Sequence, residues 1–144
     1  MSNEPLSDFL RREHDRLDDL LGRFFGAAHA GALEAARDSL RAFDDALRRH
    51  TADEEERILP PVAVKARKLL REEEESEPDR LGRELRLEHV QIRELSAMMR
   101  RLLEQDDLAG AERLAANLAR RWDAHTAREE RAFSGAASGF PPSG

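Results

Sequence analysis

The stretch HTADEE at residues 50–55 organises this chain, because it returns almost unchanged as HTAREE at residues 125–130. The offset is 75 residues, and the same offset carries a Glu-His pair at residues 13–14 onto another at residues 88–89. In each half of the chain, a histidine therefore precedes an HxxxE unit by 36 residues. A repeat of this kind indicates two equivalent halves within one chain.

The repeated positions carry the side chains that proteins use to bind metal ions. Imidazole and carboxylate together form a typical metal-ligand set. In an HxxxE unit the two side chains lie one helical turn apart and only about 40° apart around the axis, so both face the same way. The sequence thus predicts a metal site with six candidate ligands, namely His14, His50, Glu54, His89, His125 and Glu129.

The composition limits what else this protein can be. Its 144 residues are enough for one domain with its own core. The absence of cysteine excludes disulfides, thiolate zinc sites and iron–sulfur clusters, so any metal must be bound by nitrogen and oxygen. The net charge is −6 with acidic and basic residues interleaved, so no nucleic-acid partner is expected. No apolar run approaches the length of a membrane span, so no membrane is expected either. The N-terminus has no signal-peptide features, and we expect a cytoplasmic protein.

Apolar residues spaced by three and four positions predict four amphipathic helices. These helices cover approximately residues 7–28, 36–58, 77–103 and 107–133. Pro60-Pro61 should stop the second helix, and a short helical piece is expected at residues 62–70. We therefore predict one domain at residues 1–133, followed by a flexible tail at residues 134–144 that is rich in glycine, serine and proline.

Four such helices with short first and last connections predict an all-α fold, an antiparallel up-down four-helix bundle. In an antiparallel hairpin, two residues lie level when the turn falls midway between them. The midpoint between the two histidines of the first half is Ala32, and that between the two of the second half is Asp107. Both midpoints coincide with predicted turns, so each hairpin should bring its histidines level, about 27 Å from the turn.

Histidine, glutamate and tryptophan side chains also have ordinary structural roles in a helical bundle. One histidine on an apolar helix face is usually a core residue, but four at one level with two carboxylates would cost several kcal/mol to bury without a cation. His29 is expected to be exposed at a helix end. Glu55, Glu56 and Glu130 are expected to be solvated. Trp122 is expected in the core, where it could also close one side of the site.

The two Glu-His pairs, the two HxxxE units and the Ile-Leu-Pro that follows the first of these units together resemble the hemerythrin-like, or HHE cation-binding, family over about residues 7–133. The resemblance implies a four-helix bundle around a non-haem di-iron site. It also implies that the four histidines are terminal ligands and that Glu54 and Glu129 bridge the irons. Oxygen-carrying members have a further histidine where this chain has Arg93, so the sequence is more similar to the hemerythrin-like domains of iron and oxygen sensors.

The preferred functional hypothesis is a di-iron binding or sensing module for oxygen, peroxide, nitric oxide or iron, with manganese or zinc as alternative metals. A small di-iron peroxidase or oxidase is the first alternative. The chain has no recognisable nucleophile unit or phosphate loop, which favours binding over catalysis. A metal-free helical interaction module is the second alternative. The sequence does not identify a protein partner.

Overall fold

The structure, a computed structural model, describes residues 6–58 and 77–136. Within these ranges the chain is helical apart from two tight turns, and no strand is present. The elements are α1 (Leu6–His29), α2 (Leu33–Asp53), a π-helical turn (Glu54–Ile58) that continues α2, α3 (Glu77–Glu104) and α4 (Leu108–Ala136). The predicted antiparallel up-down four-helix bundle is confirmed.

The helices are arranged as two packed hairpins. α1 packs against α2 and α3 packs against α4, while α1 also contacts α4 and α2 contacts α3. Each helix therefore has two neighbours, as the apolar stripe on each one requires. Arg37, near the start of α2, donates hydrogen bonds to the carbonyl of Leu103 at 2.7 and 3.2 Å and pairs with Asp106. These contacts bring both hairpin turns to the same end of the bundle.

Both turns fall where the sequence predicted them. Gly31 in the first turn has a φ of 69°, which glycine adopts without steric penalty. Asp106 in the second has a φ of 60°, a conformation that aspartate tolerates better than most residues. Asp107 then accepts a hydrogen bond from the Gly110 amide at 2.9 Å, the arrangement of a helix N-cap.

Two apolar clusters lie on either side of the histidine level. The larger one extends towards the turns and contains Phe24, Phe43 and Trp122 among its fully buried side chains. The smaller one lies towards the opposite end and is built from Leu10 and Leu85, with partly buried apolar residues packed against them. The polar centre is consequently enclosed along the bundle axis by apolar side chains.

Three helix ends differ from the sequence prediction by at least three residues, and the first of them is the start of α2, at Leu33 rather than at residue 36. The predicted second helix continued regularly to residue 58, whereas regular α-helix ends at Asp53 and the five following residues form a π-helical turn. The last helix ends at Ala136, three residues beyond its expected end. The prolines at 60–61, the helical piece expected at 62–70 and residues 137–144 of the expected tail lie outside the described residues. No helix within the described ranges is both long and apolar enough to span a membrane.

Candidate metal centre

All six predicted ligands are buried at one level of the bundle. α1 supplies His14, α3 supplies His89, and α4 supplies His125 and Glu129. The end of α2 and the π-helical turn supply the remaining histidine and glutamate. None of the six is more than 3% exposed, which is exceptional for ionisable side chains and indicates that they meet one another rather than solvent.

The six side chains form two overlapping groups that share both carboxylates. One group contains His14 and His50, the other contains His89 and His125, and both contain Glu54 and Glu129. Within each group one candidate ligand atom from every residue lies within 4.8 Å of the others. This arrangement could hold two metal ions side by side, each bound by one histidine pair and linked by the two carboxylates.

The Nε2 atoms of the histidines face the carboxylates. His14 Nε2 lies 3.0 Å from Glu129 Oε1, and His125 Nε2 lies 3.2 Å from the same oxygen. On the other carboxylate, His50 Nε2 lies 2.8 Å and His89 Nε2 lies 3.4 Å from Glu54 Oε1. Each carboxylate is thus approached by histidines from both halves of the chain.

Several of these atoms lack a hydrogen bond. Within the described residues, both oxygens of Glu54, Oε2 of Glu129, Nε2 of His50 and Nδ1 of His14 are buried without a hydrogen-bond partner. The 2.8 Å separation between His50 Nε2 and Glu54 Oε1 is short, but the two groups are not aligned for a hydrogen bond. Unsatisfied buried acceptors cost about 1–3 kcal/mol each, and a cation among them would satisfy several at once. The donor set therefore fits a metal pair.

The pKa values reflect the crowding of imidazoles and carboxylates. Burial by itself would lower the pKa of His50, but Glu13 and Glu54 outweigh burial and raise it to about 10. Burial likewise opposes protonation of His125, yet the neighbouring Glu129 and Glu88 raise its pKa to about 9. Without bound metal, both rings are therefore protonated at neutral pH and balance the buried carboxylates.

The pKa values of His89 and Glu129 are shifted by the same crowding. Burial would lower the pKa of His89, but the carboxylates of Glu129 and Glu54 raise it. Burial would raise the pKa of Glu129, but hydrogen bonds from the surrounding histidines hold it well below the ordinary value. The centre consequently favours a negatively charged bridge surrounded by positive charge, which is the charge pattern that a metal pair would also provide.

A second set of carboxylates, which the sequence analysis did not assign, meets the outer faces of the histidines. His125 Nδ1 lies 2.6 Å from Glu88 and His89 Nδ1 lies 3.2 Å from Glu55. Longer contacts join His50 Nδ1 to Glu13 at 3.6 Å and His14 Nδ1 to Glu130 at 3.7 Å. The neighbouring His50 ring, among other cations, holds the pKa of Glu13 below its ordinary value.

Glu55 and Glu130 are therefore only partly solvated, at the flank of a neighbouring helix, whereas Glu56 is exposed as expected. The side chains of Glu55 and Glu130 are only 25% and 32% exposed, because each lies at the boundary with a neighbouring helix. Their positions around their own helix axis correctly direct them away from the core. Those positions carry no information about the histidine rings, His89 and His14, that lie on the neighbouring helices. The 75-residue repeat offered a signal, since it relates Glu55 to Glu130 and Glu13 to Glu88.

Trp122 closes the side of the centre that faces the larger apolar cluster. Its ring centroid lies 5.4 Å from that of His14, 6.1 Å from that of His50 and 5.9 Å from that of His125. Its Nε1 donates a 2.8 Å hydrogen bond to Asp18. Trp122 is thus both a core residue and a wall of the site.

Two further residues from the sequence analysis lie away from the inner ligands. His29 is exposed at the end of α1, as expected. Arg93 does not point into the centre, because its Nη1 donates to Thr51 Oγ1 at 3.1 Å and to Glu55 Oε2 at 3.4 Å. The position one turn after His89 is therefore occupied by a cation that contacts the carboxylate of Glu55.

Comparison with known proteins gives one result. The family model described as the hemerythrin HHE cation binding domain matches residues 6–137. Searches of curated proteins and of solved structures found no match. The matched range includes every helix described above and all six buried candidate ligands.

Proposed function

Because the chain belongs to the hemerythrin HHE cation-binding family, we propose that its bundle binds two iron ions and serves to bind or sense oxygen, peroxide, nitric oxide or iron. In this proposal His14 and His50 bind one iron and His89 and His125 bind the other. The observation that carries the proposal is the sharing of Glu54 and Glu129 by both histidine pairs. Two shared carboxylates suit a pair of iron ions, although manganese or zinc would accept the same donors.

The chain's own residues set the conditions for such a centre. Bound iron would supply a redox-active site for small oxygen or nitrogen ligands. Glu54 and Glu129 contribute negative charge to offset the metal charge, while the histidines contribute neutral donors. Leu10 and Leu85 on one side and Trp122 on the other keep bulk water from the centre along the bundle axis. In such surroundings, charge interactions are stronger than in water.

Among the described residues, one cleft beside the site has room for a small ligand. A cleft of about 190 Å³ between α1 and α2 reaches His50 and is lined also by Glu13, Arg16, Leu17, Ala46 and Arg49. A more open depression of about 750 Å³ lies near Phe25 and His29, at the turn end of the bundle. The room that this cleft offers beside His50 suits a small molecule, which supports binding or sensing of such a ligand.

The surroundings of His89 also argue against simple reversible oxygen carriage. Arg93 cannot ligate a metal, and its contacts with Thr51 and Glu55 hold it at the flank of the site. We therefore expect the iron-loaded protein to react with oxygen or peroxide without forming an adduct that survives many cycles. Repeated cycles of oxygenation and deoxygenation, followed by optical absorption, would measure this directly.

The decisive experiment is to load the purified chain with ferrous iron under anaerobic conditions and to count bound metal by elemental analysis. We expect close to two irons per chain, and an optical spectrum that changes on exposure to oxygen, peroxide or nitric oxide. Binding of no iron, or of one, would refute the di-iron proposal. Sustained consumption of peroxide with a reducing substrate would instead indicate an enzyme of the peroxidase type.

A further inference from the structure

We propose that Glu13, Glu55, Glu88 and Glu130 form an outer carboxylate layer that orients the four metal-binding histidines. The inference rests on the proposed metal-binding function and concerns positioning residues rather than ligands. Each of these glutamates faces the Nδ1 atom of a different histidine, on the side of the ring away from Glu54 and Glu129. The layer therefore provides one carboxylate for every imidazole.

The contacts follow one pattern across the site. Each outer carboxylate comes from a different helix than the histidine it faces. His125 of α4 meets Glu88 of α3, and His50 of α2 meets Glu13 of α1. The other two contacts cross between the hairpins. Glu55, from the π-helical turn, faces His89 of α3, and Glu130 of α4 faces His14 of α1. This arrangement ties ring orientation to the packing of neighbouring helices.

The chemistry of imidazole explains why such contacts matter. A neutral ring has one N–H donor and one acceptor nitrogen, and a carboxylate beside Nδ1 favours the form with the proton on Nδ1. Nε2 is then left with its lone pair directed at the centre. The negative charge behind the ring also raises the basicity of the donor nitrogen, which strengthens a metal bond.

Arginines hold the outer carboxylates in turn. Arg128 pairs with Glu88 and with Glu84, one turn earlier on α3. Arg93 pairs with Glu55 at 3.4 Å. These arginines place positive charge behind the carboxylates, on the side away from the histidine rings. Arg93 therefore anchors one carboxylate of the outer layer.

The layer is tighter around one histidine pair than around the other. Glu88 and Glu55 approach His125 and His89 at 2.6 and 3.2 Å, within hydrogen-bond distance. The corresponding contacts of His50 and His14 are 3.6 and 3.7 Å, beyond that distance. We therefore expect substitutions in the tighter half to weaken metal binding more than substitutions in the looser half.

The test compares Glu88→Gln and Glu88→Ala with the wild type, using cobalt(II) and ferrous iron as probes. Competition with a chelator gives the metal dissociation constant, and the visible absorption of the cobalt-loaded protein reports ligand geometry. We expect Glu88→Gln to weaken binding by about 10- to 100-fold, with a larger loss in Glu88→Ala and a shifted cobalt spectrum in both. Glu13→Gln should give a smaller loss.

Glu84→Gln is the matched control, because Glu84 shares the Arg128 partner but, among the described contacts, meets no histidine. Melting of each metal-free variant separates folding from binding. If Glu88→Gln melts like the wild type but binds metal at least tenfold more weakly than Glu84→Gln, the outer layer is supported. If Glu88→Gln, Glu88→Ala and Glu84→Gln all bind within about twofold of the wild type, or if both Glu88 variants lose affinity only in proportion to lost folded protein, the proposal is overturned. Failure of the wild type itself to bind metal would refute the proposed function instead.

Discussion

Three carboxylates are fully buried within the described residues, namely Asp44, Glu54 and Glu129, and their neighbours differ sharply. Asp44 accepts hydrogen bonds from Ser96 at 2.8 Å, Arg100 at 2.9 Å and Arg48 at 3.0 Å. Its charge is therefore neutralised by the protein itself. Both oxygens of Glu54 lack any hydrogen-bond partner, and so does one oxygen of Glu129. Asp44 therefore contributes to helix packing, whereas Glu54 and Glu129 have oxygens available to a cation.

Asp44→Ala should destabilise the bundle without affecting metal stoichiometry. The substitution leaves the buried Ser96 hydroxyl without its acceptor and removes the partner of Arg48 and Arg100, at a cost of about 2–3 kcal/mol. The arginines are half exposed and can regain water, which limits the loss. Chemical unfolding with and without metal measures the effect. A loss of bound metal in fully folded Asp44→Ala would contradict this assignment.

Glu54→Ala and Glu129→Ala should each lose at least one metal ion per chain. Removing a shared carboxylate takes negative charge from between two cations, so the pair can no longer be held together. Elemental analysis of the loaded variants measures the stoichiometry. Glu56→Ala is the control, since Glu56 is exposed, and it should retain the wild-type metal content. Equal losses in all three variants would mean that the acidic cluster binds metal diffusely.

At the scale of elements, the helix ends determine how the site is presented. α2 passes into a π-helical turn at Glu54, where one carboxylate of the centre begins an irregular segment. Such turns often occur at functional sites, because they re-aim side chains. The equivalent Glu129 lies within continuous α-helix. The two halves thus reach similar ligand positions through different backbone geometry, and the turns at the opposite end set the level of the histidines.

Asp107→Ala should weaken the start of α4. The side chain accepts a hydrogen bond from the Gly110 amide, and losing an N-cap of this kind typically costs about 1 kcal/mol. The turn lies far from the centre, so metal stoichiometry should stay unchanged. Thermal melting of the metal-free variant gives the stability, and Asp107→Asn, which keeps the acceptor oxygen, should recover most of it. A loss as large for asparagine as for alanine would rule out the capping role.

At the scale of the whole molecule, charge balance links stability to pH. The folded pKa values of His50 and His125, about 10 and about 9, lie above the ordinary 6.5, so without metal their contribution to stability is complete below about pH 6.5 and disappears as pH rises through 9 to 10. The pKa of Glu129 lies below its ordinary 4.5, so its contribution is present above about pH 4.5 and is lost on further acidification. Metal-free protein should therefore be most stable between about pH 4.5 and 6.5. Urea unfolding across pH tests this, and a maximum above pH 8 would contradict it.

Metal binding at neutral pH should release protons. Coordination requires neutral imidazole, whereas His50 and His125 are protonated below their pKa values of about 10 and 9 in the absence of metal. Apparent affinity should consequently rise with pH between 7 and 9. Titration of metal into weakly buffered protein with a pH indicator counts the protons. An affinity that is independent of pH over this range would show that the imidazoles are already neutral.

The four helices, both turns and the six inner residues of the centre could be predicted from the amino-acid sequence alone. Periodicity and the repeat are local in origin, and HxxxE spacing fixes two side chains on one helix face whatever that face meets. The outer carboxylates and the place of Arg93 depended on tertiary structure, because Glu55 and Glu130 contact rings on other helices. The angular position of a residue around its own helix does not show which side chains of other helices it meets. The π-helical turn at Glu54 was likewise beyond the sequence pattern, since regular periodicity assumes the α-helical geometry that this segment abandons.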